Sequence, residues 1–250
     1  MSVQPHIQFG REELAEYAIL PGDPKRVDRI KEFLTDAKEI IFHREMNSIS
    51  GYYKGIKVLV VSTGMGGAST GIVVEELHNI GVTYMIRVGS SGALQSDMVL
   101  GELVIVNGAV RDEGTSRAYV REMYPAIPDT GCLCSMIESV KGLGVKYRIG
   151  IARSHDSFYT DNEEEIDEYW SRKGVIAADM ETAALFTIGG LRGVKTASVL
   201  NTVALYQGKV GEEINSYVNQ EEKCIEGERN EILLALETIV TIHKKKESES

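Results

Sequence analysis

Apolar runs of strand length alternate with amphipathic stretches of helical length along most of this chain, and this alternation constrains the fold more than any other feature. The strand-like runs are too apolar to leave one face of a sheet in water, so the pattern predicts an α/β protein with a mixed central sheet covered by helices on both sides. We expect strands at about residues 17–20, 57–62, 82–88, 102–107, 147–152 and 195–203. We expect helices at about residues 25–34, 69–80, 130–143, 162–172, 179–190 and 227–243. One domain over residues 1–243 follows, with a disordered tail at 244–250.

One of these strands carries an arginine near its end and leads into a glycine-rich segment. Residues 82–88 are mostly apolar but include Arg87, and Gly-Ser-Ser-Gly follows at 89–92. In open α/β sheets ligands bind beyond the carboxyl ends of strands, and a guanidinium can hold two oxygens of a phosphate or carboxylate. The segment therefore predicts a tight glycine turn at an anion site. A structural strand with a surface arginine is the alternative.

Two more basic residues follow strand-like or hairpin-like segments. Arg26 belongs to the helix after the turn Pro21-Gly22-Asp23-Pro24, and Arg44 precedes a polar stretch that is typical of a hairpin. A lone arginine is usually a solvated side chain, so neither residue is informative by itself. Their order and spacing indicate the same anion as Arg87.

A pair of carboxylates, Asp179 and Glu181, interrupts the apolar residues 175–185. Burying carboxylates costs several kcal/mol unless they are paired or hydrogen-bonded, and the two adjacent hydroxyls of a ribose would meet that need. Acidic side chains that stabilise a helix N-terminus are the alternative. Upstream, Phe158 and Tyr159 offer a flat surface for a nucleobase, or are ordinary core aromatics.

The order of these segments resembles that in the hexameric nucleoside phosphorylases, the family of uridine phosphorylase and the bacterial-type purine nucleoside phosphorylases. The resemblance runs from about residue 5 to 240. The segments that carry it are Gly22-Asp23-Pro24-x-Arg26, His43-Arg44-Glu45, Ser62-Thr63-Gly64-Met65-Gly66-Gly67, Glu75-Glu76-Leu77, Ile86-Arg87-Val88-Gly89-Ser90-Ser91-Gly92, Tyr124-Pro125-Ala126, Asp156-Ser157-Phe158-Tyr159 and Asp179-Met180-Glu181.

The resemblance implies a role for each matching residue, with Arg87 and Glu181 as the catalytic pair. Phosphate would be held by Gly22, Arg26, Arg87 and Ser90, together with Arg44 from a neighbouring subunit. Ribose would be held by Met180, Glu181 and a His6 lent across the dimer. The base pocket would be lined by Ser91, Gly92 and Phe158.

At the base end the chain departs from both branches of the family. Asn162 and Glu164 stand near the places of the glutamine and arginine with which uridine phosphorylases read uracil. The aspartate with which purine-type members protonate the leaving base is absent, because the last long strand runs into Ala204-Leu205. Asn162 and Asp179 are polar candidates that remain for base contact.

The resemblance predicts reversible phosphorolysis of a ribonucleoside to free base and ribose 1-phosphate, with uridine favoured over purine substrates. A hydrolytic nucleosidase and a non-catalytic nucleoside-binding protein of the same fold are the alternatives. The partners expected are a nucleoside, inorganic phosphate as co-substrate, and further copies of the chain in a dimer or a hexamer built from dimers.

The net charge and the cysteine content argue against several kinds of partner, cellular location and cofactor. The formal net charge of −10 argues against nucleic acid or an anionic membrane as partner. No apolar run approaches 18 residues, and three cysteines cannot all pair, so a cytoplasmic protein is predicted. No cluster of histidines, cysteines or carboxylates has metal-ligand spacing, so we expect no metal and no cofactor.

Overall fold

The computed structural model describes residues 3–207 and 222–249 and has a nine-stranded mixed sheet with helices on both faces, which confirms the expected fold class. The strands are β1 (Tyr17–Pro21), β2 (Thr35–His43), β3 (Met46–Tyr53), β4 (Ile56–Val61), β5 (Tyr84–Ala93), β6 (Leu103–Asp112), β7 (Tyr147–His155), β8 (Ala177–Asp179) and β9 (Lys195–Ala204). The helices are α1 (Pro24–Lys31), α2 (Gly67–Ile80), α3 (Gly114–Tyr119), α4 (Thr130–Val140), α5 (Glu163–Arg172), α6 (Thr182–Leu191) and α7 (Glu222–Glu249). A short 3-10 turn at Arg11–Glu13 precedes β1.

Strand β5 is the centre of the sheet because it pairs with three other strands. It runs parallel to β1 and β9, and its last two residues pair antiparallel with β8. Strands β6 and β7 connect β9 back to β8, so β5, β9, β6, β7 and β8 form a closed ring. The antiparallel strands β2, β3 and β4 extend the sheet beyond β1.

Two apolar clusters cover the two faces of the sheet. One lies under α2 and α6, and the other lies under α1, α4 and α7. Because side chains alternate along a strand, Ile86 and Val88 of β5 point into the second cluster and Met85 points into the first. Arg87, two residues after Met85, therefore projects on the α2 and α6 side.

The prediction of a tight turn at residues 89–92 is wrong, because these residues continue β5 and pair with β9. Gly89 serves a different purpose from the one predicted. A Cβ atom at this position would lie 2.6 Å from Cζ of Arg87. Glycine is therefore required here so that the Arg87 side chain can fold back over its own strand.

The chain differs from the expected elements at several further places. Strand β2 carries polar and apolar residues on both faces, and β8 has only three residues, so neither was predicted as a strand. Strand β3 was expected only as a hairpin-like stretch, and the short helix α3 was not expected. The last helix begins at Glu222, five residues before the expected start. It also continues to Glu249, through most of the segment that was expected to be a disordered tail.

Candidate active site

Arg87 is the centre of a buried ionic cluster at the end of β5. Its side chain is 4% exposed. Its Nε donates to Oδ2 of Asp179 at 3.1 Å, and its Nη2 donates to Oε2 of Glu181 at 2.5 Å. The remaining nitrogen, Nη1, is buried and has no hydrogen-bond partner among residues 3–207 and 222–249. The alternative of a surface arginine is thus excluded.

The space beside Nη1 of Arg87 is kept open by glycine. A Cβ atom at Gly22 would lie 3.9 Å from Nη1 and 3.3 Å from the carbonyl oxygen of Gly64. A Cβ at position 22 would therefore be tight against the Gly64 carbonyl and would occupy the space next to Nη1, the donor of Arg87 that no described protein group uses. A buried guanidinium nitrogen with free N–H groups is suited to an oxyanion.

Arg26 reaches the same end of β5 from the other face of the sheet. It is 3% exposed, and it donates to Oγ of Ser90 at 3.0 Å and to the carbonyl oxygen of Val88 at 3.2 Å. Its Nε donates to Oε2 of Glu228 at 2.9 Å. The structure therefore brings together Arg26 and Ser90, which sequence reasoning placed in one phosphate site, close to Arg87 in β5.

Asp179 holds Arg87 in place. Besides Nε of Arg87, it accepts hydrogen bonds from Oγ of Ser154 at 2.5 Å and from N and Oγ1 of Thr182 at 3.0 and 2.6 Å. Both carboxylate oxygens are therefore used by protein donors. These contacts do not support the predicted role of Asp179 in base binding, and they assign it to orienting Arg87.

Glu181 lies between the glycine loop before α2 and the start of α6. Its Oε1 accepts a hydrogen bond from the backbone N–H of Gly66 at 2.6 Å. Its Oε2 accepts one from the backbone N–H of Met180 at 3.2 Å and one from Arg87. Burial raises the pKa of Glu181, and the Arg87 guanidinium opposes that rise. Glu181 makes no capping hydrogen bond to α6, whereas Asp179 accepts from the backbone N–H of Thr182 at the start of that helix, so the alternative of an acidic side chain that stabilises a helix N-terminus holds for Asp179.

Gly92 is one of the residues expected to line the base pocket, and we call its surroundings the base end. Gly92 pairs with Ala178 of β8, and Ala178 pairs with Arg153 of β7. Residues paired across strands project on the same face, so Arg153 shares with Gly92 the face of the sheet opposite to that of Arg87 and Asp179. A Cβ atom at Gly92 would meet no atom within 4 Å, which leaves room beside it. The neighbouring Ser91 is buried and donates to the carbonyl oxygen of Asn201 at 3.3 Å.

Arg153, which sequence reasoning missed, is buried among carboxylates of the base end. Its Nε donates to Asp112 at 2.8 Å, and its Nη1 donates to Glu163 at 3.1 Å and to Asp167 at 3.4 Å. Burial raises the pKa of Asp167 to about 6. A signal was available in the sequence, since Arg153 interrupts the end of an apolar strand.

Phe158 and Asn162 belong to the segment between β7 and α5. The ring of Phe158 packs edge-on against that of Tyr159, with centroids 4.9 Å apart. Asn162 is exposed at the start of α5 and makes no capping hydrogen bond. Among the described residues neither side chain contacts Arg87 or Glu181, so their roles at a base stay predictions.

His6 and Arg44 are not brought to the arginine cluster of their own chain. Nδ1 of His6 lies 2.6 Å from Oε1 of Glu76, and Nδ1 of His43 lies 3.0 Å from the carbonyl oxygen of His6. Arg44 is exposed at the tip of the β2–β3 hairpin and pairs with no carboxylate in the described parts of the chain. Its φ of 56° is in the left-handed region, which is uncommon for a residue with a side chain.

Two carboxylates of α7 complete the cluster, and sequence reasoning missed both. Glu228 forms ion pairs with Arg26 and Arg29, and Glu231 accepts from the backbone N–H of Gly89 at 3.1 Å. They stand three residues apart and therefore on one face of the helix. That spacing among apolar residues such as Cys224 and Ile232 is the signal that could have indicated a buried carboxylate pair.

Three other properties bear on the chemistry. Within residues 3–207 and 222–249, no group of three or more histidine, cysteine or carboxylate side chains is arranged to hold a metal ion. The same residues contain no helix with the length and apolar character needed to cross a membrane. Cys132, Cys134 and Cys224 form no disulfide with one another in the described part of the chain.

Comparison with known proteins shows which family the chain resembles over most of its length. The model of the phosphorylase superfamily matches residues 16–239. A uridine phosphorylase of Thermococcus kodakarensis is 40% identical over 235 residues, which cover 88% of this chain and 85% of that protein. A guanosine phosphorylase of Halorubrum lacusprofundi is 35% identical over 80% of this chain and 82% of its own length. The crystal structure of uridine phosphorylase from Vibrio fischeri superposes with a TM-score of 0.90 at 45% identity, and the match covers 96% of this chain and 98% of that one.

Proposed function

This chain belongs to the phosphorylase superfamily, and from that premise we propose that it is a nucleoside phosphorylase that converts uridine and phosphate to uracil and ribose 1-phosphate. The observation that carries the proposal is the buried pair of guanidiniums, Arg26 and Arg87, at the end of β5 with Glu181 beside them. A hydrolytic nucleosidase activates water and has no need of two buried arginines, so this geometry favours phosphorolysis.

The reaction follows from the positions of these groups. Phosphate between Arg87 and Arg26 would attack C1′ of the nucleoside on the face opposite the base, with ribose becoming oxocarbenium-like in the transition state. The two reactants would be held as neighbours, which contributes roughly 7–11 kcal/mol and makes a protein nucleophile unnecessary. The negative charge of phosphate would stabilise the cation that develops at C1′.

Glu181 would hold the ribose. Its carboxylate has two acceptor oxygens, and the pair of hydroxyls on a ribose supplies two donors. In the free enzyme those oxygens accept from Gly66, Met180 and Arg87. Binding of phosphate to Arg87 would release Oε2 of Glu181 for a ribose hydroxyl.

A purine substrate is the second candidate, because one of the similar proteins is a guanosine phosphorylase. Uracil and guanine both carry a carbonyl next to a ring N–H, which a guanidinium and a carboxylate can bind together. Arg153 and Glu163 are such a pair near Gly92. Uridine is favoured because uridine phosphorylases recur among the similar proteins and solved structures.

We also propose that each site is shared between two subunits of a homo-oligomer. His6 and Arg44 lie on segments that do not reach Arg87 of the same chain through any described contact, and Arg44 has a free, exposed guanidinium. A second copy of the chain could bring both to the site by isologous pairing. No cofactor is required, and the cytoplasmic location stays a prediction.

A nucleoside panel tests the substrate assignment. Uridine, thymidine, cytidine, inosine, guanosine and adenosine are each incubated with enzyme and phosphate, and the free base is measured by chromatography. Uridine is expected to give the highest kcat/KM. A higher value for guanosine or inosine would reassign the enzyme to purine nucleosides, and no release from any of them would indicate a binding protein.

A further inference from the structure

Helix α7 places Glu231, a buried carboxyl with few hydrogen-bond donors around it, next to the proposed phosphate site. Glu231 has a side chain that is 0% exposed. Its Oε2 accepts one hydrogen bond, from the backbone N–H of Gly89 at 3.1 Å. Its Oε1 lies 3.4 Å from Nη1 of Arg26 and has no hydrogen-bond partner within the described residues. A buried carboxylate with so few donors is costly in its ionised form.

Among the described residues, the cluster around Glu231 contains more carboxylates than guanidiniums. Its buried ionisable groups are Arg26, Arg87, Asp179, Glu181, Glu228 and Glu231. Arg29, whose side chain is 40% exposed, adds one cation through Glu228, and Arg44 of a second copy would add another in the proposed shared site. An anionic phosphate adds negative charge to this set, so its binding is favoured when one of the carboxylates becomes neutral.

Hydrogen bonding distinguishes Glu231 from the other three carboxylates. Asp179, Glu181 and Glu228 each accept two or more hydrogen bonds, which favours their ionised forms. For Glu231, burial raises the pKa to about 8, and Glu228 on the same helix adds to the rise. Arg26 of α1, Arg87 of β5 and the Gly89 amide oppose it. Burial raises the pKa of Glu181 as well, but Glu181 accepts hydrogen bonds from Gly66, Met180 and Arg87. Glu231, with a single hydrogen bond among the described residues, is therefore the carboxyl of this cluster that is best placed to take a proton.

We propose that Glu231 is a positioning residue of the phosphate site, which holds Arg26 and the Gly89 amide in the free enzyme and takes up one proton when the anion binds. The proposal rests on the proposed function, since the anion is the phosphate of that reaction. The proton comes from solvent and goes to Oε1, the oxygen that faces Arg26. The positive charge of Arg26 is then available to the anion, and anion affinity falls as the pH rises through the range in which Glu231 ionises.

Calorimetric titration with sulfate tests this coupling, because sulfate stays a dianion across the pH range in which phosphate itself titrates. The wild-type protein is titrated at pH 8.5 in buffers of different ionisation enthalpy, so that proton uptake is read from the heats. Roughly half a proton or more per site is expected, and the affinity should fall by up to about tenfold per pH unit above pH 8. Glu231→Gln should take up no proton and should lose this pH dependence.

The matched control is Glu237→Gln, a change on the same helix at a carboxylate that pairs with Tyr53 and Lys54 away from the site. It should behave like the wild type. Sulfate binding without proton uptake by the wild type would overturn the role of Glu231 and leave the phosphate site intact. Unchanged uptake in folded Glu231→Gln would also overturn it. Binding of neither sulfate nor phosphate would overturn the proposed function and this coupling together. If Glu231→Gln does not fold, the wild-type titration decides alone.

Discussion

Arg87 donates from Nη2 to Oε2 of Glu181 at 2.5 Å, so the residue expected to hold phosphate and the residue expected to hold ribose neutralise each other in the free protein. This pair is buried, and each member has further partners that fix its position, Asp179 for Arg87 and Gly66 for Glu181. In the proposed function phosphate binds Arg87 and ribose binds Glu181, so each substrate would bind one member of this ion pair. The two substrate sites would therefore be linked through it.

Replacing Arg87 by Ala should weaken phosphate binding by about 2–5 kcal/mol, because it removes a desolvated cation from the anion site. The change also leaves Asp179 and Glu181 as buried carboxylates without their cation, so a lower melting temperature is expected. Phosphate saturation kinetics and thermal unfolding measure the two effects. Arg172→Ala, which removes an exposed ion pair with Glu168, is the control and should change neither. Unaltered phosphate saturation in Arg87→Ala would place the anion elsewhere.

Glu181→Gln should lower turnover by about tenfold to a thousandfold, because an amide offers one acceptor where the carboxylate offers two. The substitution keeps the size of the side chain, so the fold should be retained. Steady-state kinetics with uridine and phosphate, beside circular dichroism of the variant, measure this. Kinetics close to those of the wild type would show that Glu181 does not hold the ribose.

Arg153→Lys should raise KM for the nucleoside by about tenfold or more, while KM for phosphate stays unchanged. A lysine keeps the positive charge but lacks the paired N–H donors that the guanidinium places near Gly92. Arg148→Lys is the control on the same strand, where the side chain pairs with Glu102 and Asp97 at the other end of β7. An equal rise of both KM values in Arg153→Lys would indicate a structural role only.

A mixture of two inactive variants tests whether Arg44 acts in a neighbouring site. In a mixed dimer of Arg44→Ala and Arg87→Ala chains, one site keeps both arginines and the other loses both. Activity should return when the two variants are refolded together. A mixture that stays inactive, although mass spectrometry shows mixed dimers, would mean that both arginines serve the site of one chain.

Sequence reasoning correctly predicted that some residues are neighbours. These residues lie near the end of a strand or just after it. Arg26 follows the β1 turn, and Arg87 and Ser90 lie in the last part of β5, so the carboxyl edge of a parallel sheet brings them together. Strands β1, β4, β5, β6, β7 and β9 were visible because their apolar runs are long.

Other features depend on contacts between residues far apart in the chain. The hydrogen bond from Gly89 to Glu231 spans 142 positions, and the one from Arg87 to Asp179 spans 92. Periodicity carries no information about such pairs. The strand nature of residues 89–92 was missed for a related reason, because Gly89 marks the path of the Arg87 side chain and not a turn. Local pattern alone does not distinguish these two uses of glycine.

The most direct test of the account is the phosphate dependence of uracil release from uridine by the wild-type protein. Enzyme and uridine are incubated with phosphate from zero to saturation, and uracil and ribose 1-phosphate are measured together. The account predicts saturable release that is absent without phosphate, with one ribose 1-phosphate formed for each uracil. Release at the same rate without phosphate, with free ribose as the product, would contradict it.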